Sequence, residues 1–476
     1  MEVALYADSK LHGKPVKGSK IVTISAHRAA LFAALAVTAW IAGIANAGEA
    51  IGLLNDTGQA DCYTTGNAPT PCEEATSGDG SPLPRQDARY GRDAAVAMGR
   101  IAKIGGGEFG FDFTRLCMSG MAEGEGDCPS PPPKPEDVEN PQPTDWACVR
   151  DNVTGLTWAL GNLADAGWDE ASRTDDGSFI GHANATMRCG LASGWRLPTR
   201  REGASIKHFA RSAPSIDPAY FPVLSNMQGS PCYWSSTVRA SNPIMNHVTC
   251  YDGVSSGGTY QCRQAVAGTL CDGPASMWLS RVVLVNGEWR ASEASQEGRD
   301  RFEVHAGQGV VEDRATGLVW DHCTWGQAGK DCDGDGDGII FQAWADAIQV
   351  ARIANEQRYK GYYDWRVPNA RELESLVDPD ATNPAIDTAV FPNTPPAYYW
   401  TSSSGWLASP TNGNYAWNVR FDSGVVTYIR KVPSPVAPTP DRSRVRLVRR
   451  GDGLTAFDGV SEHLLTADFE GSPPSN

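Results

Sequence analysis

Gly194-Trp195-Arg196-Leu197-Pro198-Thr199 returns 170 positions later as Asp364-Trp365-Arg366-Val367-Pro368-Asn369. The matches continue on both sides of that pair. Upstream, Asp151-Asn-Val-Thr-Gly155-Leu156-Thr-Trp158 returns as Asp313-Arg-Ala-Thr-Gly317-Leu318-Val-Trp320. Downstream, Pro214-Ser-Ile216-Asp217 with Phe221-Pro222 returns as Pro384-Ala-Ile386-Asp387 with Phe391-Pro392. Tyr233-Trp234-Ser235-Ser236 returns as Tyr399-Trp400-Thr401-Ser402, and Ser280-Arg281-Val282-Val283-Leu284-Val285 as Ser443-Arg444-Val445-Arg446-Leu447-Val448. All five keep their order, with offsets between 162 and 170. A unit of about 140 residues, the size of an ordinary domain, has been duplicated; solenoid repeats are several times shorter.

Local chemistry gives each copy its elements. Thr199-x-x-Glu202 and Asn369-x-x-Glu372 are capping boxes, each starting a short helix just after Pro198 or Pro368. In the second copy Leu373, Leu376 and Val377 share one helical face, and Trp344, Ile348 and Ala351 recur at helical spacing across 341–355. The first copy carries only a weak helical pattern between Trp158 and Cys189. Around Trp400 and from Tyr415 to Tyr428, aromatic and β-branched residues alternate with polar ones, which predicts strands turned by Asp422-Ser423-Gly424. Arg442–Val448 reads as a closing strand with Val445 and Leu447 inward and Arg444 and Arg446 outward. With 50 Gly and 32 Pro, the architecture that joins these short helices and strands is expected to be rich in loops and turns.

The flanks have their own character. Lys10, Lys14, Lys17, Lys20 and Arg28 precede an apolar run over 29–44 and Ala45-Asn46-Ala47, the three parts of a secretory signal. The alternative is an uncleaved N-terminal anchor, but 16 residues are short for ~30 Å of hydrocarbon. The chain divides into a signal peptide (1–47), a Gly-rich segment (48–128), a Pro-rich semi-rigid linker (129–145), repeat 1 (146–287), a connector (288–308), repeat 2 (309–450) and an aperiodic, disordered tail (451–476). A helix over 92–104, stopped by Gly105-Gly106-Gly107, is expected in the Gly-rich segment.

All 12 cysteines follow the cleavage site, and no Cys-x-x-Cys pair occurs, so the reading is a disulfide framework in an exported protein rather than zinc. The short spacings suit local loops closed by Cys62 with Cys72 and Cys117 with Cys128, and Cys323 with Cys332 would pin a further one. Removing residues 1–47, with five basic and two acidic groups, takes the formal charge from −15 to −18 (−15 less +3). Such a chain repels polyanions, and no basic stripe interleaved with aromatics marks a nucleic-acid site.

The ordered set Thr-Gly-Leu-x-Trp, Trp-Arg-[Leu/Val]-Pro, Tyr-Trp-[Ser/Thr]-Ser and a closing Val-Arg-Leu-Val-Arg strand, found twice, resembles the Legionella collagen-like protein C-terminal domain family. Tyr90-Gly-Arg-Asp93 through Gly110-Phe111-Asp112-Phe113-Thr114 is similar to the leader that accompanies such domains in bacterial surface proteins. The resemblance implies an α+β, C-type-lectin-like fold in both repeats, with short helices and small antiparallel sheets, export to the surface, and glycan binding, with sulfated glycosaminoglycans the known case. The extra Cys232, Cys250, Cys262 and Cys271 of copy one depart from the family pattern.

Two constellations could bind. Asp331, Asp333, Asp335 and Asp337 alternate with Cys332, Gly334 and Gly336, an arrangement able to gather hard oxygens around calcium; the alternative is a solvated acidic turn. An EF-hand is excluded, because Gln342 or Trp344 falls where the bidentate Glu belongs. Trp325, Trp406, Tyr415 and Trp417 could stack on sugars or simply pack in strands; with Arg420 at a basic concentration, Trp406 and Tyr415 are the ligand-binding candidates. No nucleophile elbow, zinc-protease, P-loop or dinucleotide motif is present. The sequence therefore points to a non-catalytic, adhesin-like exported protein whose partner is a glycan or a surface protein. The alternatives are a structural subunit of a surface assembly and a relative of the formylglycine-generating oxidases.

Overall fold

A computed structural model describes residues 54–65, 69–83, 85–97, 99, 101–161, 165–211, 214–222, 224, 232–251, 259–263, 279–289, 301–334, 338–341, 343–405, 414–432 and 443–450. The stretch read as a signal peptide and the tail from 451 lie outside them. The described residues pack as one unit. The segment before repeat 1 holds β1 (Cys62–Tyr63), β2 (Pro69–Thr70), α1 (Arg92–Ala97) and β3 (Phe113–Cys117). Helix α1 is shorter than the stretch expected over 92–104.

Repeat 1 contains β4 (Trp146–Asp151), β5 (Thr157–Ala159), β6 (Asp165–Ala166), α2 (Trp168–Ser172), α3 (Phe179–Ala185), α4 (Arg200–Ser205), β7 (Cys232–Arg239), β8 (Asn242–Cys250), β9 (Thr259–Cys262), β10 (Ser280–Arg281) and β11 (Val285–Asn286). Then follow β12 (Phe302–His305), β13 (Val310–Asp313), β14 (Leu318–Asp321), α5 (Trp344–Glu356), α6 (Ala370–Glu374), β15 (Tyr398–Gly405), β16 (Tyr415–Arg420), β17 (Val425–Arg430), β18 (Ser443–Arg444) and β19 (Val448–Arg450).

The duplication is visible in register. One antiparallel sheet runs β3-β4-β5-β11 in repeat 1 and β12-β13-β14-β19 in repeat 2. In the first Trp158 faces Val149 and Val285; in the second Trp320 faces Val311 and Val448. The other sheet runs β10-β7-β8-β9 in repeat 1, with β6 added antiparallel at the β10 edge, and β18-β15-β16-β17 in repeat 2; β10 and β18 each join in parallel, Arg281 beside Tyr233 and Arg444 beside Tyr399. Each unit takes its outer strand, β3 or β12, from residues that precede the recurring motifs.

These registers explain the motifs. In Asp-x-x-Thr-Gly-Leu the aspartate side chain closes a turn on its own backbone: Asp151 Oδ1 accepts from Val153 N at 3.0 Å, and Asp313 Oδ1 from Ala315 N at 3.1 Å. Gly155 and Gly317 then take φ of +79° and +69°, which a side chain would oppose. In Trp-Arg-x-Pro the arginine clamps the capping-box glutamate with both nitrogens: Arg196 to Glu202 at 2.7 Å twice, Arg366 to Glu372 at 2.6 and 2.7 Å. Both capping boxes are formed as the sequence predicts. Trp158, Trp320, Trp195 and Trp365 are all buried.

The last motif departs from expectation. The closing strand is two strands, β18 and β19, serving different sheets, so its alternation does not sort side chains into core and solvent. Arg446 is fully buried and donates to the carbonyls of Asp321 (2.8 Å) and His322 (2.7 Å) and to Thr394 Oγ1; Arg444 is buried too.

Each repeat has a split core, and the joint between repeats is apolar as well. Phe209, from repeat 1, sits in the core of repeat 2, edge-on to Trp417 at 5.0 Å. Helices α4 and α6 approach with approximate two-fold symmetry. Arg201 on α4 donates to Val377 O, and Arg371, its counterpart on α6, donates to Lys207 O at 2.6 Å and to Ala204 O. Lys207 and Val377 are themselves counterparts, as in a self-complementary dimer interface. Cys62, Ala75 and Leu83 of the leading segment cover α5 of repeat 2. Residues 129–145 lie along repeat 1, giving the carbonyls of Val138 and Glu139 to Arg188.

Candidate functional site

Repeat 1 contains a pocket of about 260 Å³ whose walls are Ala159, Ala183, Val282 and Leu284, with Phe179, His182, Asp176 and Glu139 around them. It lies against helix α3. Ser178 starts the helix, its hydroxyl accepting from Gly181 N at 3.1 Å and donating to Asp175 O at 2.7 Å. The preceding loop presses onto the helix at Gly181, where a Cβ would lie 1.9 Å from Asp175 O, so only glycine fits.

Arg188 forms the polar end. Its buried guanidinium donates to Leu160 O (3.1 Å), Val138 O (3.1 Å) and Glu139 O (2.8 Å), tying the Pro-rich stretch to the pocket rim. Burial draws its pKa below the usual arginine value, with Glu139 and Asp137 opposing. His182 Nε2 lies 3.3 Å from Glu139 O. An apolar wall with a few convergent polar groups is the usual composition of a small-ligand site.

Repeat 2 has the same wall but covers it. Val445, Leu447 and Ala354 correspond to Val282, Leu284 and Ala183, and Trp325 and Tyr359 pack against them. The two rings meet edge-on at 5.0 Å. Tyr359 stands where Arg188 stands, each following a left-handed residue, Arg358 or Met187.

The residues singled out from sequence do not converge. Tyr415 and Arg420 open and close β16, about 17 Å apart at 3.3 Å per residue and on opposite faces. Tyr415 packs on Tyr428, and Arg420 pairs with Asp422 at 2.6 Å and lies over Tyr398. Trp417 is core, and Trp406 lies outside the described residues. In the acidic loop Asp331 and Asp333 are exposed on either side of buried Cys332, with Lys330 at 3.3 Å from Asp331; Asp335 and Asp337 lie outside the described residues. Cys62–Cys72, Cys117–Cys128 and Cys323–Cys332 are disulfides, as the spacings suggest. Repeat 1 adds Cys148–Cys189 and Cys232–Cys250, and Cys262 is also disulfide-bonded.

Sequence reasoning missed Phe179, His182 and Arg188. The one signal for them was the weak helical pattern between Trp158 and Cys189, where repeat 2 carries a long helix. It also missed the carboxyls buried where the leading segment meets the repeats. Desolvation, with the charges of Asp56 and Glu372, raises the Asp87 carboxyl to about 7 against hydrogen bonds from Ser403 and Thr57. Desolvation raises Asp151 to about 6 against hydrogen bonds from Thr154, Val153 and Asn55.

Fold and disulfides thus define a duplicated α+β module of a kind compatible with exported proteins, and among the described residues no helix is long and apolar enough to cross a membrane. The family model of the Lcl C-terminal domain matches residues 147–267 and again 309–449, and the chain belongs to that family. A comparison with curated proteins finds no match. Membership of this family suggests a secreted, surface-associated protein.

Proposed function

We propose that the protein is a non-catalytic, carbohydrate-binding surface protein of C-type-lectin-like fold, and that repeat 1 carries its binding site. The observation that supports this most is the open pocket of repeat 1 in a chain whose second copy fills the same place with Trp325 and Tyr359. Phe179 offers a ring face, and His182, Asp176 and Glu139 offer hydrogen bonds to hydroxyls. Glu139 and Asp176 at the rim, and the acidic chain as a whole, favour uncharged glycans over sulfated ones. Calcium in the acidic loop belongs to the same proposal: Asp333, and Asp331 beside Lys330, are exposed to solvent, where their carboxylates are fit to bind a hard cation.

A glycan array on the mature protein, with and without calcium, tests this reading. Saturable binding to uncharged glycans, weakened about tenfold by Phe179→Ala or His182→Ala, is the expected result. Absence of any saturable glycan signal would leave the alternative of a structural subunit that contacts protein chains. Indifference to calcium would reduce the acidic loop to a solvated turn.

A further inference from the structure

The outer hairpin of repeat 2 brings together three side chains that neither the fold nor the carbohydrate reading uses. On β12 and β13, Glu303 stands directly opposite Glu312, and His305 stands two residues beyond Glu303, hence on the same face. His305 Nε2 lies 3.5 Å from Glu312 Oε2, and one donor atom each from Glu303, His305 and Glu312 lie within 4.8 Å of one another. Like charges directly opposite on paired strands repel, so the Glu303–Glu312 pair costs stability unless something positive joins it. Arg314 pairs with one oxygen of Glu303, which leaves the other oxygen and the whole of Glu312 to be balanced.

We propose that Glu303, His305 and Glu312 form a site for a divalent transition metal of the zinc class. One imidazole nitrogen and two carboxylate oxygens are a donor set that suits such ions, whereas calcium takes oxygen donors alone. The donors stand on rigid backbone. Four consecutive register pairs hold β12 to β13, and Gln308 N and Gly309 N both bond to His305 O at 2.9 Å to close the turn. All three side chains are partly exposed, so an ion reaches them from solvent and keeps an open coordination position. The site is particular to repeat 2: at the corresponding positions of β3 and β4 stand Thr114, Leu116 and Arg150, which offer no such set. The other grouping of potential ligands among the described residues, His322 with Cys323 and Cys332, has both its sulfurs in a disulfide.

The test is titration of the full mature protein with Zn²⁺ by calorimetry, and with Co²⁺ by visible absorption. Six of the eight histidines remain once residues 1–47, with His12 and His27, are removed, which gives a readable background. One saturable equivalent is expected, unaffected by excess Ca²⁺, with the Co²⁺ spectrum of mixed nitrogen and oxygen coordination. His305→Ala should weaken it at least about tenfold, and Glu312→Gln, which keeps the shape of the strand surface and hence the fold, should do the same. Glycan binding should be unchanged in both variants. Absence of saturable Zn²⁺ binding, or wild-type affinity in Glu312→Gln, overturns the proposal.

Discussion

The two repeats share strand order, register and motifs, yet they tie the same points together with different chemistry. In repeat 1, Cys148 on β4 is bonded to Cys189 in the turn after α3. The corresponding positions in repeat 2 are Val310 and Lys360. There Lys360 Nζ donates to Gly309 O and to buried Asp321, both at 2.6 Å. Repeat 2 has a 13-residue helix, α5, covered by the leading segment; in the same stretch repeat 1 has the five-residue α2 and the seven-residue α3. Shorter helices bury less apolar surface, and a covalent link is one way to hold such a module together. The difference teaches that a duplicated fold can fill a place with side chains in one copy and leave it open in the other.

Removing the two ties is the strongest way to break that comparison. Replacing Cys148 and Cys189 together by serine frees a loop of 41 residues, for which chain entropy gives a loss of about 4 kcal/mol. Lys360→Met strands Asp321 as a buried unpaired charge, a cost of about 3 kcal/mol given that Lys360 is itself partly exposed. Chemical denaturation of both variants should show losses of similar size. A silent Lys360→Met would mean that repeat 2 does not need its tie.

A pH titration sharpens the contrast at the next level. Asp313 has a bidentate partner in Arg301, at 2.7 and 2.6 Å, whereas the corresponding Asp151 meets only the amide of Asn55 at 2.6 Å and the groups of its own turn. The Asp151 pKa is raised in the folded state, to about 6 from 3.8. Its proton is thus held more tightly folded than unfolded; the contribution to stability is full below pH 3.8 and is lost as pH rises through about 6. A shift of two units corresponds to about 3 kcal/mol. The charges of Arg92 and Arg371, which also sense Asp151, moderate the loss, while Asp87 and Asp93, raised as well, add to the same slope. Asp151→Asn should flatten the fall in melting temperature between pH 4 and 7, since Asn55 Oδ1 has no partner and can accept from the new amide. An unaltered slope would assign the whole effect to Asp87 and Asp93.

The smallest expected effect is at the helix caps. Thr199→Ala and Asn369→Ala each remove the side-chain acceptor of a formed capping box and should each cost about 1 kcal/mol. Thermal melting should find the two nearly equal, because this part of the two repeats has not diverged. A marked inequality would show that the joint between α4 and α6 weights the two helices differently.

What could be read in the sequence follows from the range of the forces involved. The capping boxes at Thr199 and Asn369, the hairpin turn at Asp422-Ser423-Gly424 and the three disulfides that span 9 to 11 positions depend on near neighbours in the chain, and the duplication on direct recurrence of motifs, so the sequence by itself determined them. Only the tertiary structure decided the fate of Arg444 and Arg446, because alternation shows which side of a strand a residue takes but not what lies over that side. Here it is carbonyl groups of β14 and the loop after it, which a guanidinium can satisfy from within the core. The same holds for Phe209, which fills the core of the other repeat, and for Tyr415 and Arg420, whose separation along β16 became plain only once the strand was laid out. It holds for the pocket of repeat 1, since its wall joins Ala159 to Val282 and Leu284, more than 120 positions away, and a cavity is the space that no other side chain fills.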